Sequence, residues 1–165
     1  MNESSITQEY LKELFFYDGK NLIRRVSHGR GKAGDIAGTL SPRGYRKIQI
    51  NGKICQAHRL IWVYVYGKCP SNEIDHINGI RYDNRIENLR DVTPCINQRN
   101  RPKAANNKSG VTGVAWHKAS NMWQARVNID GVQIYLGLFE CRYRAASVRH
   151  LAMELHGGFT ARHGA

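Results

Sequence analysis

The chain has 165 residues, of which 41% are hydrophobic and 23% charged, and its formal net charge is +12 at pH 7. This length allows one domain or two small ones, each with its own hydrophobic core, and it excludes both a mini-protein and a large multidomain protein. The excess of 25 Lys and Arg over 13 Asp and Glu favours a polyanionic partner, with a cationic surface kept only for solubility as the alternative. A membrane span is not expected, because the longest apolar run, Leu60 to Tyr66, is far shorter than the about 20 residues that a span needs.

The first residues and the cysteines predict the compartment. The chain opens on polar and acidic residues after Met1, with no apolar secretory segment, so we expect it in the cytoplasm. No C-x-x-C pair is present, which argues against a zinc site built from paired thiolates. We expect reduced thiols at all four positions, Cys55, Cys69, Cys95 and Cys141.

The amino-terminal half combines two apolar segments with a basic, glycine-rich stretch. Helical spacing predicts a short amphipathic helix within Thr7 to Tyr17, ended by Asp18-Gly19. Asn51-Gly52 predicts a β-hairpin turn, and the run from His58 to Tyr66 predicts a buried helix closed by a glycine. The basic stretch between the two predicted helices suits loops and strands that approach phosphates. Its candidates for DNA contact are Arg24, Arg25, Arg43, Arg46 and Lys47.

A basic, polar segment precedes a second group of predicted elements. We place an interdomain linker at residues 101–109, which separates a domain at 1–100 from one at 110–165. The whole basic stretch, residues 97–110, is either solvated or also lies along nucleic acid, through Arg99, Arg101, Lys103 and Lys108.

The last third of the chain predicts a sheet with one helix. Three runs rich in β-forming residues, 111–117, 123–129 and 132–138, predict antiparallel strands, and Asp130-Gly131 predicts the second turn. Helical spacing of apolar residues follows over 140–155. The predicted fold class is therefore α+β, and its last part is a small three-stranded antiparallel sheet packed on one helix.

Residues 73–100 contain the side chains suited to catalysis. An Asp75-His76 pair ends an apolar strand, an Arg- and Asn-rich loop with Asn88 follows, and Thr93-Pro94 begins a new helix that contains Asn97. Phosphodiester hydrolysis needs a base for water and positive charge for the phosphorane. His76 suits the base, Asn88 could fix its tautomer, and Asp75 and Asn97 are hard oxygen ligands for one Mg²⁺.

These residues resemble those of the HNH endonucleases of the homing, phage type, in which an Asp-His pair, a loop Asn and a helix His or Asn build a ββα-metal site. The matching positions are Asp75, His76, Asn88 and Asn97. The resemblance implies that His76 is the general base, that Asn88 orients it, and that Asp75 and Asn97 bind Mg²⁺, with Mn²⁺ as a possible substitute. Arg81, Arg85 and Arg90 are further candidates for phosphate contact, and a solvated loop position is the alternative for each.

Residues 110–165 resemble the Apetala-two or ethylene-response-factor DNA-binding domain, through phrases such as Ser109-Gly-Val-Thr-Gly-Val-Ala-Trp116 and Tyr135-Leu-Gly-Leu-Phe139. In that family the sheet face reads a DNA groove. The resemblance implies that the candidates for this face include Trp116, Lys118 and Arg126. Alternation along a strand places Trp123 and Arg126 on opposite faces, and an aromatic core position is the alternative for Trp123.

Taken together, the sequence predicts a metal-dependent DNA endonuclease that cuts one or both strands at a specific site. Double-stranded DNA is the expected partner; we expect no membrane and no obligate protein partner, and the chain could act as a monomer or a dimer. The alternative is a non-catalytic DNA-binding regulator in which the same frame is only a scaffold.

Overall fold

The computed structural model describes residues 6–100, 103–157 and 159. The chain forms two compact units, Met1–Val92 and Thr93–Ala165. Both combine helices with small antiparallel sheets, which confirms the α+β class. The division between the units comes before the predicted linker, directly after the strand that follows the Arg- and Asn-rich loop.

The first unit begins with helices and strands that build its core. Their bounds are α1 Gln8–Leu14, β1 Phe15–Tyr17, β2 Leu22–Arg24, β3 Thr39–Leu40, β4 Arg46–Ile50, β5 Lys53–Gln56 and α2 Ala57–Tyr66. The strands form an antiparallel β1-β2 pair and a three-stranded sheet in the order β3-β4-β5. The core includes Leu11, Ile48 and Ile61, all of them fully buried.

Local sequence signals explain most of these bounds. The Thr7 hydroxyl accepts a hydrogen bond from the Tyr10 amide at the start of α1, as expected of an N-cap. Asn51 and Gly52 have φ values of 50° and 78°, which confirms the predicted hairpin turn. The predicted end of the first helix is wrong, because residues 15–17 leave the helix and pair with β2.

The second part of the first unit is a two-stranded hairpin. Strand β6 spans Glu73–His76 and strand β7 spans Leu89–Val92, and a one-turn 3₁₀ helix at Ile86–Asn88 precedes β7. The strands are antiparallel, with Asp75 opposite Arg90 and His76 opposite Leu89. The long connection from residue 77 to 88, called here the β6-β7 loop, therefore begins directly after the Asp-His pair.

The second unit contains the predicted sheet and helix. Its elements are α3 Pro94–Gln98, β8 Val114–His117, β9 Met122–Ile129, β10 Val132–Phe139 and α4 Arg142–His156. The strands are antiparallel in the order β10-β9-β8, and α4 packs against the sheet through Ala145 and Met153. The prediction of a three-stranded sheet on one helix is confirmed.

Candidate active site

His76 is held in one orientation by a side chain of the β6-β7 loop. It is 4% exposed at the end of β6, and its Nε2 lies 3.0 Å from Oδ1 of Asn84. With the amide oxygen facing the ring, a neutral imidazole donates its Nε2–H to Asn84, which places the lone pair on Nδ1. The bond therefore selects the tautomer in which Nδ1 is the basic nitrogen.

Burial also sets the protonation state of His76. Desolvation lowers the pKa of the imidazole, while the Asn84 hydrogen bond and the charge of Asp75 act in the opposite direction. The net shift is downward, so His76 is neutral at pH 7, which is the state that a general base needs.

Two other aromatic side chains pack around His76. The His58 ring, on α2, meets it edge to face with centroids 5.0 Å apart, and the Tyr45 ring lies 6.1 Å from it. His58 is 7% exposed, and burial, together with the charges of His76 and Arg59, lowers its pKa to about 3. His58 is therefore a neutral side chain that lines the site, and the rings of His58 and Tyr45 together restrict rotation of the His76 imidazole.

Asp75 lies beside His76 on β6 and is also buried. Its Oδ2 accepts hydrogen bonds from Nε and Nη2 of Arg90, at 3.0 and 2.8 Å. The pair follows from strand register, because Asp75 and Arg90 are directly opposite on β6 and β7. Arg90 thus fixes one carboxylate oxygen.

The β6-β7 loop is tied together by hydrogen bonds, and Asn88 is part of this network. Its Oδ1 accepts from the Asn78 amide at 3.0 Å, and its Nδ2 donates to the Asp83 carbonyl at 2.7 Å. Asp83 in turn accepts two hydrogen bonds from Arg85, at 2.9 and 2.8 Å. The expectation that Asn88 bonds His76 is therefore wrong, since Asn84 takes that place and Asn88 shapes the loop that carries Asn84.

Asn97, the second predicted ligand, lies in α3 of the second unit. The Thr93 hydroxyl accepts a hydrogen bond from the Ile96 amide at 3.4 Å, and Pro94 occupies the first turn, as predicted. Asp75 and His76 lie in the first unit, together with Asn84 and His58, two side chains that contact His76.

The donor chemistry fits a magnesium ion that keeps several of its waters. Among the residues that the structure describes, no cluster of three or more His, Cys, Asp or Glu could hold a metal. Mg²⁺ is usually bound through one or two carboxylates plus substrate phosphate, so the single buried carboxylate of Asp75 is compatible with it. The four cysteines form no disulfide in the described part of the chain, and two of them, Cys69 and Cys141, are exposed.

Comparison with known proteins identifies this region. A family model described as HNH endonuclease matches residues 55–99. Protein 3.8 of Escherichia phage T7 is 31% identical over 108 residues, which are 65% of this chain and 89% of that protein. Residues 55–99 therefore belong to the HNH endonuclease family. The Uncharacterized HNH endonuclease L560 of Acanthamoeba polyphaga mimivirus is 33% identical over 125 residues, or 74% of this chain and 64% of that protein. The match therefore leaves about a third of the mimivirus protein uncovered, and no solved structure matches the chain significantly.

The HNH region runs from the end of β5 through α2, β6 and β7 to Arg99. It therefore includes Asn84, which the sequence did not single out, and Arg90, which the sequence offers as a phosphate contact and which the structure places on the Asp75 carboxylate. Pairing β6 with β7 would have predicted the contact between Arg90 and Asp75, because the register of the two strands places these residues opposite each other. Asn84 could not be found in this way, since it lies in an irregular loop.

The basic candidates in the first unit differ in what they contact. Arg24 lines a groove of about 640 Å³ together with His28 and Arg30. Arg25 donates to the Phe15 carbonyl at 2.9 Å. Arg46 donates to the Gly38 carbonyl at 2.9 Å, while Arg43 and Lys47 are exposed.

The two candidates in the β6-β7 loop are not purely solvated. Arg81 donates to the Arg43 carbonyl at 3.0 Å, and its guanidinium lies 5.1 Å from the centre of the Tyr45 ring. Arg85 is half exposed and pairs with Asp83. Arg81 therefore reaches the aromatic cluster beside His76, and Arg85 stabilises the loop.

Arg99 is not the exposed linker residue that its basic surroundings predict. Its side chain is 9% exposed, and its Nη2 lies 2.8 Å from Oδ1 of Asp130. The reason is that α3 and the residues after it belong to the second unit, where Asp130 in the β9-β10 turn supplies a partner. Lys103 is exposed, and Arg101 lies outside the described residues.

The three candidates in the carboxy-terminal sheet do not share one face. Trp116 is directly opposite Trp123, and their rings meet edge to face at 5.3 Å. Trp123 packs against the core that α4 covers, so both tryptophans lie on that side of the sheet. Arg126 and Tyr135 are opposite each other on the other face, and Lys118 follows β8 in an exposed turn.

No helix in the described part of the chain is long and apolar enough to cross a membrane.

Proposed function

We propose that this protein is a metal-dependent DNA endonuclease of the homing type that hydrolyses phosphodiester bonds at a specific site. The observation that carries the proposal is the buried His76, neutral and fixed by Asn84 in the tautomer with a basic Nδ1, which follows the buried Asp75 on β6. Such a pair, held away from solvent, has the protonation state and rigidity that base catalysis needs.

The proposed mechanism assigns one role to each side chain. His76 Nδ1 takes a proton from water, the water oxygen forms a bond to phosphorus, and the P–O3′ bond breaks. The departing 3′ oxygen takes a proton from solvent water, which gives a 5′-phosphate and a 3′-hydroxyl. Asp75 and Asn97 would hold the metal, which supplies positive charge for the phosphorane when Mg²⁺ or Mn²⁺ is bound. Arg90 keeps one Asp75 oxygen in place, as partners of metal ligands commonly do. Asn88 acts through the loop rather than on the imidazole.

The partner we propose is double-stranded DNA, bound in a bacterial host cytoplasm. The net charge of +12 and the Arg24 groove support phosphate contacts by the first unit. We propose that residues 1–100 form the nuclease domain, that 101–109 link it, and that residues 110–165 act as a positioning or specificity module similar to an ethylene-response-factor domain. The ββα-metal arrangement is proposed from the order β6, β7, α3 and the family's motif.

The test is incubation of the purified protein with supercoiled plasmid and with long phage DNA, in Mg²⁺ or in EDTA. We expect metal-dependent nicked or linear product from the wild type and from Glu87→Gln, whose carboxylate is exposed, and none from Asp75→Asn. The relative amounts of nicked and linear DNA report whether one strand or both are cut. Retention of DNA without cleavage in any metal would favour the non-catalytic regulator instead.

A further inference from the structure

The second unit contains a cavity of about 440 Å³ that the proposed catalytic mechanism does not use. It lies where α3 and the residues just before β8 meet β9 and the β9-β10 turn. Three arginines, Arg99, Arg126 and Arg149, and one acid, Asp130, are among the residues that line it. The charged groups that line this space therefore sum to a positive charge.

Arg99 brings an unsatisfied donor to this wall. Its Nη2 bonds Asp130 at 2.8 Å, its Nη1 bonds the Gly157 carbonyl at 3.3 Å, and its guanidinium lies 5.0 Å from the centre of the Phe159 ring. Its Nε is buried and has no hydrogen-bond partner among the described residues. A buried donor left unpaired is costly, so native structures almost always satisfy it with protein, water or ligand.

Thr112 brings a second such group to the same cavity. Its Oγ1 is buried and likewise lacks a hydrogen-bond partner within the described part of the chain. Arg99 and Thr112 therefore each bring one unsatisfied polar group to the lining of the same cavity.

Arg149 adds a buried cation from α4. It is 5% exposed, its Nη1 lies 2.6 Å from the Met153 sulfur, which is a weak acceptor, and burial lowers the pKa of the guanidinium. Gly113 makes room for it, because a Cβ there would lie 2.6 Å from Arg149 Nε. The backbone is thus shaped around a buried positive group.

We propose that this cavity binds a phosphate group. Guanidinium groups match the geometry of phosphate oxygens, and the two unsatisfied donors add hydrogen bonds that a bound oxyanion would accept. The phosphate can come from the DNA backbone or from a free nucleotide. The first source rests on the proposed function, and it makes the cavity a phosphate clamp of the second unit.

The test is a titration of the full chain in EDTA, so that no DNA is cut. Binding is measured from the Nε–H resonance of Arg99 in ¹H–¹⁵N spectra. That resonance is assigned by its loss in Arg99→Lys. The probes are inorganic phosphate, deoxyadenosine monophosphate and a short DNA duplex. We expect a saturable shift with phosphate, and about tenfold weaker binding in Thr112→Val and in Arg126→Gln, since each loses one hydrogen bond to a charged group.

The matched control is Arg144→Gln, which removes the same charge from an exposed position on α4 and should bind phosphate as the wild type does. If the duplex shifts the same resonance and competes with phosphate, the source is the DNA backbone. If only the small phosphates shift it, the source is a free nucleotide. No saturable shift, or equal affinities in Thr112→Val, Arg126→Gln and Arg144→Gln, would overturn the site. Because no cleavage is measured, this result is independent of whether the chain is a nuclease.

Discussion

At the scale of single residues, His76 has the environment of a base rather than of a surface histidine. We predict that His76→Ala lowers the rate of DNA cleavage by a factor of at least ~10², because general-base catalysis commonly contributes that much, and that it leaves DNA affinity nearly unchanged. The measurement is single-turnover cleavage next to a binding titration. His150→Ala, at an exposed position on α4, is the control. Cleavage near the wild-type rate in His76→Ala would remove His76 from this role.

Asn84 is expected to act on His76 without touching DNA. In Asn84→Ala the imidazole loses the hydrogen-bond acceptor of its Nε2–H, so the preference for the Nε2–H tautomer should fall. DNA cleavage should then slow by about tenfold, while the affinity of the protein for DNA stays the same. Imidazole ¹⁵N shifts of His76 report the tautomer directly. Asn88→Ala is the comparison, since it loosens the loop rather than one bond. Wild-type ¹⁵N shifts in Asn84→Ala would show that something else fixes the ring.

At the scale of elements, the β6-β7 loop depends on an ionised Asp83. The hydrogen bonds from Arg85 hold the pKa of the Asp83 carboxyl well below its usual value, Asn78 adds to this, and burial opposes it. Since the folded pKa lies below the unfolded value of about 4, the ionised carboxylate stabilises the fold above that pH, and the stabilisation is lost as the pH falls through the folded pKa.

We therefore predict that Asp83→Asn lowers the free energy of unfolding at pH 7 and that its difference from the wild type shrinks as the pH falls below about 4. Urea unfolding at a series of pH values measures this. Glu87→Gln changes an exposed acid on the same loop, whose ion pair with Arg85 is 3.6 Å long, and should have little effect. A difference that does not vary with pH would separate the loop's stability from the Asp83 charge.

The start of β8 depends on a glycine. Gly113 has φ +78°, and a Cβ there would collide with the Arg126 carbonyl oxygen and the Arg149 side chain. Gly110 has nearly the same φ, +79°, but open space around it. Alanine in the left-handed region costs about 1–2 kcal/mol, so Gly110→Ala should lose only that, and Gly113→Ala about 1–3 kcal/mol more. Denaturant unfolding of both variants measures the difference, and equal losses would mean that the backbone relaxes around the methyl group.

Most elements were predictable because their signals are local. Asn51-Gly52 fixes a turn, Thr93-Pro94 begins a helix, and alternation defines β8 to β10, whatever surrounds them. The end of α1 was not predictable, because residues 15–17 become a strand only by pairing with β2. The site divides in the same way: Asp75 and His76 follow from the motif, whereas the role of Asn84 depends on the path of an irregular loop and the burial of Arg99 depends on Asp130, 31 residues away.

At the scale of the whole molecule, charge should dominate affinity for DNA. The net charge is +12, and the Arg24 groove adds cations that face solvent beside several glycines, where a phosphate can approach the backbone closely. Neutralising phosphates releases counterions, so the logarithm of the binding constant should fall linearly with the logarithm of the salt concentration, by about 0.9 for each phosphate contact.

Arg24→Gln should make that slope shallower by about 1, because it removes one phosphate contact, and should weaken binding similarly on every DNA sequence. Lys68→Gln removes the same charge from an exposed position after α2, outside the groove, and should leave the slope unchanged. Fluorescence anisotropy with a labelled duplex, in EDTA and over a range of salt, measures both slopes. If the two variants give the same slope, the affinity arises from the general field of the molecule and not from a contact in this groove, since long-range charge does not distinguish between the two positions.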